Sequence, residues 1–167
     1  MMPHGGFARR MAPSFLFDLN KYDLNTVKFG VDVIEKINPH RGAMRLLDGV
    51  YECVLDAPAE VIAYKDIRDD EFWVPGHVPG RPLFPGVLML EAAAQLASFV
   101  CLQRLEQQFM GFAGAQDVKY RGQVVPGDKF ILMGKEIKIH PRRSTCQMQG
   151  IVNGKLVFEA TIIGMVF

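Results

Sequence analysis

Residues 87–102 read VLMLEAAAQLASFVCL, sixteen positions whose only conventional polar side chains are Glu91, Gln95 and Ser98. A helix of that composition has almost no face to offer water, so protein must enclose it. It is shorter than the roughly 18–20 apolar residues that cross a bilayer, and it carries a carboxylate, which favours a core helix over a membrane span. Glu91, Gln95 and Ser98 recur at i, i+4 and i+7 and make one stripe along the cylinder. That stripe is expected to face something polar.

On its N-terminal side, residues 69–86 crowd Pro75, Gly76, Pro79, Gly80, Pro82, Pro85 and Gly86 into one loop. Proline removes φ freedom and glycine permits tight turns, so this composition holds a shape. Upstream, residues 45–55 and 60–67 read as strands around Asp56-Ala57-Pro58, and residues 32–37 as a short helix stopped by Asn38-Pro39. Downstream, strands are expected over 115–120, 129–139, 145–152 and 155–166. Val125-Pro126-Gly127-Asp128 makes one turn, and Asn153-Gly154 gives a type I′ hairpin. A sheet with one face to cover and a helix to be covered all round meet in one architecture: α+β, an antiparallel sheet wrapped on a long apolar helix. Residues 1–31 are expected as an N-terminal arm on the surface, and 32–167 as a single domain.

The 167 residues suit one domain, with 49% apolar side chains to build a core. Nineteen Lys and Arg against eighteen Asp and Glu leave +1, too weak a field for a nucleic-acid binder or a polybasic membrane protein. Cys53, Cys101 and Cys146 are widely spaced and read as reduced core thiols in a cytoplasmic compartment. The apolar run at 11–17 is broken by Pro13 and shows no export signal. The four histidines are scattered without metal-ligand spacing, so no metal is expected. His40, after Pro39, reads as a turn or packing residue, and His140 as a surface one.

The chemistry concentrates in GHVPGRPLFPGV, residues 76–87. A His held by flanking Gly and Pro makes a suitable base near neutral pH, which is the role expected of His77. Glu91, on an apolar helix, is costly to ionise, so its pKa is expected to rise and leave it a proton donor. The free N–H groups at the helix start, Gly86 first, suit a developing oxyanion. Gln95, one turn past Glu91, is placed to orient that carboxyl.

GHVPGRPLFPGVLMLEAAAQ, residues 76–95, resembles the signature of the β-hydroxyacyl-(acyl carrier protein) dehydratases of the FabZ/FabA group, with His77 and Glu91 at the family's fourteen-residue spacing. Asn38-Pro39-His40-Arg41 with Leu46-Leu47-Asp48, residues 118–128 and residues 152–160 resemble three further family segments. The resemblance implies the hotdog fold and a homodimer, in some members a hexamer, in which the His of one subunit meets the acid of the other. It implies a cofactor-free reaction: His77 takes the C2 proton of a 3-hydroxyacyl thioester, Glu91 protonates the departing C3 hydroxyl, and the Gly86 N–H polarises the carbonyl. Glu at position 91 resembles the branch that dehydrates without isomerising. The chain departs from the pattern at Gly42-Ala43-Met44-Arg45, Val78 and Gly122-Gln123, which bear on chain length and carrier recognition. Gln95, Phe84, Val78 and Trp73 are the residues expected to shape the acyl site. Acyl carrier protein is acidic, so docking is expected on Lys135, Lys138, Arg142 and Arg143, or on Lys119 with Arg121, unless these are simply solvated strand faces. Two other readings share the fold, an acyl-thioesterase and a non-catalytic acyl-thioester-binding protein.

Overall fold

The computed structural model describes residues 14–105 and 109–166. The earlier part of the expected arm, with Arg9, Arg10 and the start of the 11–17 run, lies outside the described residues. Helix α1 (Val31–Ile37) is followed by β1 (Gly49–Val54) and β2 (Glu60–Asp66), then the long helix α2 (Gly86–Leu105). The strands β3 (Met110–Tyr120), β4 (Lys129–His140), β5 (Arg143–Val152) and β6 (Lys155–Val166) complete one antiparallel sheet in the order β1-β2-β4-β5-β6-β3. This is the α+β hotdog arrangement, with α2 packed against strands β2 to β6.

The core forms where α2 meets the sheet. Ala92, Ala93, Leu96, Ala97 and Phe99 join Phe130, Leu132, Met148, Phe158 and Ile162 in one buried cluster. Alanines on the helix let the strands approach closely, and the large rings opposite fill the space. Each large apolar side chain enclosed there stabilises the fold by about 2 kcal/mol relative to exposure. The helix is longer than the sequence suggested and, by length and composition alone, could cross a membrane. Its enclosure by five strands is what makes it a core helix. The Asn153-Gly154 turn between β5 and β6 has φ of 49° and 73°, the left-handed pair a type I′ hairpin needs. Cys53, Cys101 and Cys146 are free thiols, and burial pushes Cys53 up to about 11 and Cys146 up to about 12.

The first strand starts at Gly49, four residues later than the apolar alternation implied. Residues 45–48 are committed elsewhere: Leu46 N–H donates to Gln95 Oε1 (2.9 Å), while Asp48 accepts from Arg45, Arg68 and the Asp66 N–H. The described part of the arm is fastened to the sheet. Gln149 accepts from Leu16 N–H (2.9 Å) and donates to the Ser14 carbonyl (3.0 Å), and Tyr22 donates to Glu60 (2.7 Å).

The loop between β2 and α2 hangs on one carboxylate. Glu71 accepts from the Arg68 N–H (3.0 Å), from Trp73 Nε1 (3.0 Å) and from Lys65 Nζ (2.9 Å), whose side chain is only 1% exposed. Trp73 in turn offers its carbonyl to the N–H groups of Gly76 (3.1 Å) and His77 (2.9 Å). Burial pushes the Glu71 carboxyl up, but those three donors outweigh it and hold the group below its usual 4.5. The Glu71 contribution is therefore complete above that value and fades as pH falls through the lower, folded pKa. Glu71→Gln leaves the Lys65 charge buried without its partner and is expected to cost about 3 kcal/mol, read as a lower urea midpoint at pH 7. The wild-type chain should also lose stability more steeply than the variant between about pH 5 and pH 3.

Candidate active site

His77 sits on a miniature hairpin. Val78 and Arg81 exchange backbone hydrogen bonds (3.2 and 2.9 Å) across Pro79-Gly80, and Gly80 has φ of 74°, a turn that suits Pro then Gly. One step further out, Leu83 N–H donates to the His77 carbonyl (2.8 Å) and the Leu83 carbonyl lies 2.8 Å from His77 Nδ1. A carbonyl can only accept, so Nδ1 carries the ring hydrogen and Nε2 is left with its lone pair. The ring is exposed, and the His77–Val78 peptide bond is cis. Phe84 N–H donates to the Val124 carbonyl (2.8 Å), which ties the end of the loop to the turn before β4.

Helix α2 begins directly after Pro85. Its first backbone bonds run from the N–H groups of Leu88 and Met89 to the Pro85 carbonyl (2.9 and 3.2 Å), so those of Gly86 and Val87 have no intrahelical acceptor. A Cβ at Gly86 would lie 2.7 Å from the Tyr120 ring, so only glycine lets the helix start this close to β3.

One turn on, Glu91 and Gln95 face a cavity of about 70 Å³ between α2 and strands β3 and β6, with Ser98, Met110, Phe112 and Gly164 on its walls. The polar surroundings expected for the stripe are there only in part: Gln95 and Glu91 have polar partners, while the buried Ser98 Oγ has none among the described residues. Gln95 is nearly fully buried and every polar atom of its amide is used: Oε1 accepts from Leu46, and Nε2 donates to the Met44 carbonyl (2.7 Å) and to Glu91 Oε1 (2.9 Å). The Glu91 carboxyl is 26% exposed, a cleft group rather than an enclosed one. His40 also lies on the cavity, its Nε2 3.4 Å from Glu91 Oε1. This corrects the reading of His40 as a turn or packing residue. The Pro-His-Arg segment was the signal that could have found it.

Within one chain His77 bonds to Leu83 while Glu91 bonds to Gln95, with His40 Nε2 3.4 Å away, and His77 is not on the wall of the cavity. The other expected acyl-site residues separate. Val78 is at the surface (44% exposed), whereas Trp73 and Phe84 are core residues, 5.6 Å apart by ring centroids, with Phe84 6.0 Å from Phe130. Their rings are too apolar to stay in a solvent-facing loop and pack inward beneath it.

The basic residues also divide. Lys119 (3.3 Å) and Arg121 (2.6 Å) both pair with Glu159, and Lys135 pairs with Glu60 (3.0 Å). Among the described residues Lys138, Arg142 and Arg143 have no ion-pair partner, and Lys138, His140 and Arg143 line a surface depression of about 350 Å³.

Comparison with known proteins places this geometry. Over 135 residues the chain is 38% identical to the 3-hydroxyacyl-(acyl-carrier-protein) dehydratase FabZ of Clostridium beijerinckii, covering 80% of this chain and 95% of that protein. The enzyme of the same name from Lactococcus lactis is 35% identical over 141 residues, 83% of this chain and 96% of its own length. Among solved structures, the dehydratase heterocomplex ApeI:P from Xenorhabdus doucetiae superposes with a TM-score of 0.68 at 13% identity, covering 80% of this chain and 90% of that one. A hypothetical thioesterase from Streptococcus pneumoniae, solved with coenzyme A, superposes with a TM-score of 0.53 at 11% identity, covering 65% and 78%. At such identities these two structures speak for the fold alone. Residues 38–161 match the FabA-like domain family, a span that takes in the His77 loop, helix α2 and strands β1 to β5, and the chain belongs to that family.

Proposed function

We propose that this protein dehydrates 3-hydroxyacyl thioesters carried on acyl carrier protein to the trans-2-enoyl thioesters, as a step of fatty acid synthesis. One observation carries the reading. A loop histidine with Nδ1 capped and Nε2 free is followed fourteen residues later by a carboxyl on an apolar helix, in a chain of the FabA-like family. The relatives named as 3-hydroxyacyl-(acyl-carrier-protein) dehydratases support it.

In this mechanism His77 Nε2 takes a C2 proton, the C2–H electrons form the C2=C3 bond, and the C3–O bond breaks. Glu91 supplies the proton that lets the hydroxyl leave as water. The Gly86 N–H receives the negative charge that builds on the thioester oxygen, which acidifies C2. Base and acid come from two subunits. Among the described residues strand β3 pairs only with β6, so there its outer edge is open along eleven residues, with Phe112 exposed at the cavity that holds Glu91. A second copy docked there closes the cavity and brings in its own His77 loop. Val78 borders the acyl path at the loop tip, and Trp73 and Phe84 support that wall from behind. Lys138, Arg142 and Arg143, without ion-pair partners among the described residues, offer charge for an acidic carrier. The free thiols, buried or half-buried, suit a reducing cytoplasm.

Either His77→Ala or Glu91→Gln is expected to lower turnover of 3-hydroxyacyl-(acyl carrier protein) by about 100- to 10,000-fold. Mixing the two inactive proteins under subunit exchange should restore about a quarter of wild-type activity, because a mixed dimer keeps one intact site of two. Absence of any recovery after confirmed exchange would rule out the shared site, and release of free thiol in place of enoyl product would favour a thioesterase. Arg143→Glu should raise KM for the carrier-bound substrate in a salt-dependent way and leave KM for an N-acetylcysteamine thioester unchanged.

A further inference from the structure

The Glu91 carboxyl is held by one oxygen. The Leu46 N–H donates to Gln95 Oε1, which fixes the amide orientation and makes Nε2 the end that faces Glu91 Oε1 at 2.9 Å. His40 Nε2 approaches the same oxygen at 3.4 Å. Its Nδ1 is buried and has no hydrogen-bond partner among the described residues. A neutral imidazole has a single N–H. Placed on Nδ1 it would be buried without an acceptor and would turn the Nε2 lone pair toward a carboxyl oxygen, so it belongs on Nε2. An oxygen that already accepts from Gln95, with a second ring nitrogen 3.4 Å away, is a poor place for a hydroxyl hydrogen.

We propose that His40 is a positioning residue which, with Gln95, anchors Glu91 Oε1 and leaves Oε2 as the oxygen that delivers the proton to the departing hydroxyl. The inference rests on Glu91 being the acid. When Oε2 gives up its proton, the negative charge spreads onto Oε1, which the Gln95 amide already holds and beside which His40 Nε2 lies at 3.4 Å. The 3.4 Å contact is long for a neutral partner and tightens as that charge develops, so His40 acts more on the transition state than on the bound substrate. The charged groups around the ring are Glu91 on α2 and Arg41 beside it. Burial of the ring, against the pull of Glu91 and with the push of Arg41, holds its pKa below the usual 6.5, which keeps it a neutral donor at pH 7. Arg41 itself is turned away, donating to the carbonyls of Asn38, His40 and Glu35. The segment is pinned to the helix it serves, since Asn38 Nδ2 donates to the Gln95 carbonyl (2.8 Å).

The test measures kcat, KM and the pH profile of kcat for the purified full chain on 3-hydroxybutyryl-(acyl carrier protein), with His40→Leu, His40→Gln and Glu91→Gln in parallel. His40→Leu is expected to lower kcat about 10- to 100-fold with KM within about twofold. Loss of the donor disfavours the carboxylate, so the alkaline limb, where Glu91 loses its proton, should move up by roughly 0.5 to 1 pH unit. The Gln amide reaches the place of Nε2, so His40→Gln should recover most of kcat and return the limb. A His40→Leu enzyme with kcat within twofold of wild type overturns the proposal, as does an equal loss in both variants with the limb unmoved. If His40→Leu does not fold, His40→Gln is set against His40→Asn, whose amide reaches the place of Nδ1. An impaired Asn enzyme with a raised limb beside an active Gln enzyme supports the role, and equal activity overturns it. Full turnover by Glu91→Gln would instead remove the acid assignment itself, whereas an inactive Glu91→Gln beside an unaffected His40→Leu defeats the His40 inference alone.

Discussion

The Gln95 amide ties together the parts of this fold that would otherwise be independent. An apolar helix with a polar stripe is buried at least cost where those groups find partners, and the groups that satisfy Gln95 come from far away in sequence. Met44 and Leu46 offer their backbone to the Gln95 side chain, and Asn38 bonds to the Gln95 carbonyl. The segment between α1 and β1 is thereby held against the middle of α2. Glu91 receives its orientation from the same amide. Replacing this cluster by apolar side chains would bury the helix more simply, so its polarity costs stability that the Gln95 bonds offset.

The loop before α2 solves the opposite problem. It carries an exposed imidazole that has to keep one orientation in water, with no core of its own to hold it. Local geometry does the holding through the Pro79-Gly80 turn and the reciprocal bonds between His77 and Leu83. The Glu71 carboxylate anchors the loop from below through Lys65 and Trp73. One side chain is thus fixed by burial and its counterpart by turn chemistry. Within the described residues the two are served by different elements, His77 by its loop and Glu91 by α2.

Much of this was legible in the sequence because it depends on local pattern. Strands β2, β4, β5 and β6, the second half of β3 (Met110–Tyr120, expected only from residue 115), the Asn153-Gly154 turn and the long apolar helix follow from periodicity and turn residues, and the Gln95 bond to Glu91 follows from helical spacing. What was misread depends on partners remote in the chain. The alternation over 45–48 looks like strand, but its hydrogen bonds go to Gln95 and Asp48. Lys119 and Arg121 look free until Glu159, about forty residues on, pairs with both. His40 reads as an isolated histidine after a proline because the carboxyl beside it is fifty-one residues away, on another element. Trp73 and Phe84 are adjacent to the loop in sequence and beneath it in space.

The connectivity of the sheet also sets when this fold can form. Strand β3 is the next described strand after α2, yet among the described residues its neighbour is β6, the last described strand in chain order, and β6 also makes a major part of the cover over α2. During synthesis the helix therefore emerges from the ribosome well before the strands that enclose it. A nascent chain that has reached only β4 presents a long apolar cylinder and an unpaired strand to solvent. Folding must wait for the β5–β6 hairpin, so a chain paused before it is exposed to aggregation through that apolar helix.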